Sequence, residues 1–407
     1  MRQGVQARLY ALKTSHYGRL FAVTAGLFVS ASGKAARSEH ALNPRTENAE
    51  STNVNGTLNA DVSTLHFEGE RAYVNDLTGQ PLCLLLDKTL QVSALRRLRA
   101  AKPKRGAIVV LNAGDGRVLA AADFPPHTPR SESVLWSALT PSASLFKLVT
   151  TAALVERAKL SPSHRVCSEG GEHRVGLAQL EAPKEGQIRC QSFSSILATS
   201  RNAAYARLVH RHLTSEDLSN YADRFGFNSS INQDFPLEMG RYAPAESPLG
   251  VARTATGFIG STLSTFGAAY LGFLIANGGQ RKPLRLFCDA NDSEDRTTVI
   301  RVLLPETARR LRDMMVTVVQ KGTAYDAFHD EVGRPRLPRL SVAAKTGTLG
   351  DDDGTNSWFI GFAPSHHPKY VVAVLLDNGT PWYTTAKRVA VEILSELFPE
   401  EKPTAQR

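Results

Sequence analysis

Ser144 and Lys147 have the most direct claim on chemistry in this chain. They stand three residues apart in Ser144-Leu145-Phe146-Lys147, at the head of an apolar run that continues from Leu148 to Val155. On a helix that spacing puts both side chains on one face, one turn apart. A serine hydroxyl is a weak nucleophile until a neighbouring base takes its proton, and lysine can be that base where its surroundings lower its pKa. Burial in an apolar helix would do so. No other serine in the 407 residues is followed by lysine at the third position. Taken alone, the same string also reads as the capped start of a core helix.

Two further strings follow in order. Ser200-Arg201-Asn202 precedes a helix that starts near Ala203. Residues two apart do not share a helix face, so the triplet works best as a turn that offers both polar side chains to a cleft; by itself it is also a good helix cap. Lys345-Thr346-Gly347-Thr348 ends a strand. A fixed cation and two hydroxyls suit a carboxylate, and a glycine lets a substrate backbone approach the strand edge. Read on its own, this third string is an ordinary strand end.

These strings need a scaffold. Asp87 opens a helix with apolar positions at Leu90, Val92, Leu95 and Leu98. Gly106–Leu111 and Arg117–Ala121, joined by Asn112-Ala-Gly-Asp-Gly116, predict a hairpin. Helices are expected over 144–158, 203–212, 215–225, 265–276 and 305–320, with Gly278-Gly279 ending the fourth. Strands return over 341–345, 357–362 and 370–376, and a helix over about 384–398 closes the chain. The expected fold is α/β (α+β): one antiparallel sheet completed by its amino- and carboxy-terminal strands, flanked by helices, with a mainly helical lobe at about 144–324.

Residues 1–33 run from basic and acid-free through an apolar stretch, Leu20–Val29, to small residues, with a plausible cut at Val29-Ser30-Ala31. That order predicts an export signal or a retained anchor, and either places the body outside the cytoplasm. Residues 34–80 read as a polar linker or short amino-terminal segment, with Leu65–Phe67 and Ala72–Val74 as candidate short strands, and 81–400 as the main domain. The formal charge is +9, but Arg2, Arg8, Lys13 and Arg19 supply four of it, and the remaining +5 is scattered. Without a basic stripe, no nucleic-acid partner is expected. Cys167 and Cys190 are the expected disulfide among four cysteines, with buried free thiols as the alternative. No Cys/His spacing suggests zinc, and no cofactor is expected.

Together the three strings resemble the penicillin-binding protein transpeptidase domain, a set also shared by the related β-lactamases. Gly106–Leu111, Ile275–Gly279, Val318–Ala324 and Trp358–Gly361 add to the resemblance, which spans about residues 80–400. It implies a β-lactamase/transpeptidase-like fold and a peptidoglycan D,D-transpeptidase. Ser144 would be the nucleophile, Lys147 its base and Ser200 the relay of a proton to the departing amine. Asn202 would hold the substrate amide. Lys345, Thr346, Gly347 and Thr348 would receive the terminal carboxylate of a D-alanyl-D-alanine stem, with the backbone amides of Ser144 and Thr348 as the oxyanion hole. Implied partners are peptidoglycan stem peptides, β-lactams, and a glycosyltransferase or divisome or elongasome membrane protein.

This chain departs from the family in two places. Ala143 stands where the family often has glycine, and the segment before residue 80 has little room for a glycosyltransferase domain or a large pedestal. The alternatives are a D,D-carboxypeptidase, a serine β-lactamase, and a non-catalytic β-lactam sensor or divisome scaffold. Against the β-lactamase, a Glu-x-x-Leu-Asn string occurs only at Glu39–Asn43, upstream of the serine helix.

Overall fold

A computed structural model describes residues 60–399, apart from 77, 127, 129–130, 172–173, 184–187, 230–236, 289–298, 352–353 and 380–382. The expected export signal lies outside the described residues. Among those described, no helix is long and apolar enough to cross a membrane.

The described residues begin with three strands, β1 (Ala60–Glu68), β2 (Arg71–Asp76) and β3 (Pro81–Leu84), paired in that order as an antiparallel sheet. Within the expected linker or short amino-terminal segment, residues before 60 lie outside the described residues and those from Ala60 form strands. The candidate strands Leu65–Phe67 and Ala72–Val74 lie within β1 and β2, which run longer; among the described side chains of the three strands Ala72, Val74 and Leu84 are the buried core residues, too few to mark the full lengths. Helix α1 (Lys88–Ala101) follows, its first turn closed where the Leu90 backbone N–H donates to Asp87 Oδ1 at 2.9 Å.

β4 (Arg105–Asn112) and β5 (Val118–Phe124) form the predicted hairpin. The next strands are the short β6 (Thr140–Pro141), the pair β7 (Arg165–Ser168) and β8 (Arg189–Ser192), then β9 (Gly240–Tyr242), β10 (Ser261–Leu263), β11 (Gln280–Arg281) and β12 (Ile300–Arg301). Among them lie α2 (Lys147–Glu156), α3 (Phe193–Ala198), α4 (Asn202–His212), α5 (Ser215–Arg224), α6 (Pro248–Thr256), α7 (Thr265–Ala276), α8 (Pro305–Lys321) and α9 (Tyr325–Phe328). β13 (Ala343–Asp351), β14 (Gly354–Ala363), β15 (Tyr370–Asn378) and α10 (Ala386–Leu397) complete the chain.

The main sheet has the order β13-β14-β15-β4-β5 and is antiparallel throughout, so its centre joins the two ends of the domain. Both faces are covered, which is why β4 and β15 read as continuous apolar runs. Val109, Leu111, Ala373 and Leu375 turn towards the core that includes α2 and α7. Val110, Val372 and Val374 turn the other way, towards α1 and α10. α7 is buried from Thr265 to Ile275. α1 and α10 are tied by Ser93 Oγ donating to Glu396 Oε2 at 2.5 Å and by Arg97, which pairs with Glu392 and Glu396.

Two disulfides are present. Cys167–Cys190 is the expected pair, directly opposed across β7 and β8. Cys83–Cys288, which was not expected, ties β3 to the segment after β11, where the Cys288 backbone N–H also donates to Cys83 O at 3.0 Å.

Candidate active site

Ser144 does not lie within a regular α-helix. It sits in a 3₁₀ turn, Ala143–Leu145, and Lys147 is the first residue of α2. The one-turn spacing survives, because three residues close one turn of a 3₁₀-helix. The turn is set by Ala143, whose φ of 47° is left-handed, a region that costs an ordinary residue roughly 1–2 kcal/mol. Alanine thus adopts here the backbone its family counterpart, often glycine, would adopt freely. Neighbours hold it: Trp358 Nε1 donates to Pro141 O at 2.9 Å, and Ser142 and Ser261 share a hydroxyl hydrogen bond of 2.6 Å. The α6 cap also presses on it. A side chain at Gly257 (φ 83°) would bring Cβ within 1.8 Å of Ala143 O.

The expected polar residues converge. Lys147 Nζ lies 2.8 Å from Ser144 Oγ, 3.0 Å from Ser200 Oγ, 3.3 Å from Ser200 O and 2.5 Å from Asn202 Oδ1. Ser200, with a left-handed φ of 58°, makes the turn between α3 and α4 that aims its hydroxyl and the Asn202 amide at the same amine. From the other side, Lys345 Nζ donates to Ser200 Oγ at 3.2 Å and to Thr346 O at 2.7 Å. Ser200 therefore stands between the two lysine nitrogens.

Both lysines are fully buried. Among the described residues no carboxylate hydrogen-bonds to Ser144, Lys147, Ser200 or Lys345. Burial favours the neutral amine. It holds Lys147 well below the usual lysine range, with the charge of Lys345 acting in the same direction. Burial alone lowers Lys345 to about 7. A neutral Lys147 has two N–H groups, which Asn202 Oδ1 and the Ser200 oxygens can accept, and one lone pair left for the Ser144 proton.

β13 delivers the third string. Along the strand Lys345 and Gly347 share one face, and Thr346 and Thr348 the other. Gly347 brings the strand against the serine turn: a Cβ there would stand 3.3 Å from that of Ala143. Thr348 is exposed. The Thr346 hydroxyl is shared with Thr323 Oγ1 at 2.5 Å.

Thr323 is the residue that the sequence strings leave out. It lies in the turn after α8, where its backbone N–H donates to Ala198 O at 3.0 Å and Lys387 Nζ donates to its carbonyl at 3.0 Å. One residue thus joins the end of α3, two positions before Ser200, to the hydroxyl of Thr346. Gly322 permits the approach, since a Cβ there would meet Ala198 O at 2.3 Å. The only signal for it in the sequence is the Lys321-Gly322-Thr323-Ala324 stretch. Tyr205 is a second such residue. Its hydroxyl shares a 2.6 Å hydrogen bond with Thr151, and its ring lies 5.7 Å from Lys147 Nζ.

A family model described as penicillin binding protein transpeptidase domain matches residues 106–398. A probable peptidoglycan D,D-transpeptidase, PbpC of Pseudomonas aeruginosa, is 26% identical over 323 residues, 74% of this chain and 55% of its own length. Stage V sporulation protein D of Bacillus subtilis is 27% identical over 358 residues, 81% of this chain and 55% of its own. The chain therefore spans about half the length of the curated relatives it matches. In fold it is similar to penicillin-binding protein A from M. tuberculosis, solved as an imipenem acyl-enzyme, with a TM-score of 0.62, 21% identity and coverage of 77% of this chain and 79% of that one. Matched over most of its length and carrying the three strings in one cluster, this chain belongs to the penicillin-binding protein transpeptidase domain family.

Proposed function

We propose that the protein is a serine D,D-transpeptidase acting on peptidoglycan stem peptides and acylated by β-lactams, with residues 81–400 as its catalytic body. The observation that carries this reading is the buried Lys147 amine. It stands 2.8 Å from Ser144 Oγ and 3.0 Å from Ser200 Oγ, with no acid among the described residues hydrogen-bonded to it to hold a proton on it. That distance is within the reach required of a general base.

Ser144 Oγ attacks the carbonyl carbon of the penultimate D-alanine as its proton passes to Lys147 Nζ. The proton then moves through Ser200 Oγ to the nitrogen of the terminal D-alanine, the C–N bond breaks, and an ester to Ser144 remains. An acceptor amine attacks that ester and returns a proton along the same path. Lys345, Thr346 and Thr348 receive the terminal carboxylate, which restores a counter-ion to Lys345. Asn202 orients Lys147 and the substrate amide. Backbone N–H groups of Ser144 and Thr348 face the developing oxyanion, usually the largest single contribution in acyl transfer.

The pairing of all four cysteines in two disulfides supports an oxidising compartment outside the cytoplasm. There the protein would work in the periplasm or at the outer face of the membrane, beside a glycosyltransferase or another membrane protein of the division or elongation machinery. Among the described residues no acid hydrogen-bonds to Ser144 or Lys147 to activate water, so a penicilloyl ester should persist for many minutes.

Intact mass spectrometry after incubation with benzylpenicillin tests the reading. One adduct per chain is expected, mapped to Ser144, absent in Ser144→Ala and long-lived after free drug is removed. An adduct on another serine would sink the assignment. Rapid loss with repeated turnover would make the protein a β-lactamase instead.

A further inference from the structure

Between the β1–β2–β3 sheet, α1 and the end of β5 lies a cavity of about 260 Å³, which shares none of the residues of the Ser144 cluster. Its walls are largely apolar, with Val74 and Leu84 from the small sheet, Leu95 from α1, Leu135 and Trp136 from the loop after β5, and Phe287 next to the Cys83–Cys288 bridge. Apolar cavities of about 150 Å³ already admit a benzene ring.

One carboxylate stands in this wall. Asp123 Oδ2 accepts from Ser133 Oγ at 2.5 Å, and Oδ1 accepts from the Phe124 backbone N–H at 3.0 Å. These use two of its roughly four acceptor positions. No ion pair joins it to a cation among the described residues, and the one basic side chain described in the lining, Arg99, is exposed at the end of α1. Burial pushes the Asp123 carboxyl up to about 6, so near neutral pH it carries its charge in apolar surroundings. A part-buried charge without an ion-pair partner is unfavourable, and a ligand that brings the opposite charge relieves it.

We propose that this cavity is a binding site for a small hydrophobic amine, whose ring or alkyl body fills the apolar space while its ammonium pairs with Asp123. Shape and charge together select this class. A neutral body of the same size leaves the carboxylate unpaired, and an acid is repelled by it. The catalytic reading of Ser144 is not needed for this site.

The test uses the full chain and three probes, 2-phenylethylamine, 2-phenylethanol and 3-phenylpropanoate, followed by titration calorimetry and NMR. Near pH 7.5 the amine should bind about tenfold more tightly than the alcohol, and the acid should not bind. Asp123→Asn should bring the amine down to the affinity of the alcohol and leave the alcohol unchanged. That variant removes a part-buried charge that has no ion pair among the described residues and keeps the side-chain volume, so it should melt no lower than the unmodified chain. Lowering the pH to about 5, where Asp123 gains a proton, should weaken the amine in the same way and not the alcohol. Contacts from the ring protons of the amine to the Trp136 indole should place the ligand. Equal affinity for amine and alcohol, indifference of the amine to Asp123→Asn, contacts elsewhere, or no binding of any probe at about 10 mM would each overturn the proposal.

Discussion

Two lysines with opposite requirements set the pH range in which Ser144 can react. Lys147 must be neutral to take a proton, so acylation rises as the pH climbs through its lowered pKa. Lys345 must be charged to hold a carboxylate, so the rate falls as the pH climbs through about 7. The second-order rate constant for acylation by benzylpenicillin should therefore be bell-shaped, with its alkaline limb beginning near that value. Benzylpenicillin methyl ester, which lacks the carboxylate, should lose that limb; the same limb with the ester would release Lys345 from this role. Lys147→Ala should slow acylation by about 10²–10⁴, as loss of a general base does, and Lys345→Ala by less. Rapid-quench mass spectrometry measures both, and equal modest losses would mean that the roles are misassigned.

Single residues at element ends hold this geometry, and they can be tested there. The hydrogen bond shared by the Thr323 and Thr346 hydroxyls fixes the Thr346 side chain at the place proposed to receive a carboxylate. Thr323→Val should weaken the reversible binding of a β-lactam before acylation by about tenfold and change the acylation step itself by less than about threefold. Stopped-flow saturation kinetics separates the two; a loss confined to the acylation step would place Thr323 elsewhere in the mechanism. Gly257→Ala combines a left-handed φ with a Cβ driven into Ala143 O, and should lower unfolding stability by at least about 2 kcal/mol in urea titrations.

How far the elements were legible follows from length and locality. α1, α5 and α7 carry side-chain caps at Asp87, Thr214 and Ser264, and the sequence placed all three. α3 has six residues, too few to display a period, and α6 mixes Gly250 with Thr254 and Thr256 in a nine-residue run. The Ser144, Ser200 and Lys345 strings were readable because each is local. Thr323 was not, because its meaning depends on Ala198 and Thr346, which only the fold brings to it.

At the scale of the molecule, the sheet order places β15 between β14 and β4, so the catalytic strand β13 depends on residues beyond its own hairpin. A chain ending at residue 369 keeps Ser144, Lys147, Ser200 and Lys345 but leaves β4 and β14 without their shared neighbour. It should be protease-sensitive, lack near-ultraviolet circular dichroism and form no penicillin adduct; a folded, acylable fragment would contradict this. The Cys83–Cys288 bridge belongs to the same scale. Its 205-residue separation gave no local sign, whereas the separation of 23 between Cys167 and Cys190 made that pair the natural expectation.

The pairing of Gly106 with Leu376 also has a consequence in time. A ribosome adding roughly 5–20 residues per second makes β4 tens of seconds before β15 exists. During that interval the apolar run Ala107–Leu111 has β5 on one edge and nothing on the other, which is the description of an aggregation-prone strand. The chain is thus most vulnerable while still being made, and holding it extended until Tyr370–Asn378 emerges protects it better than early folding would.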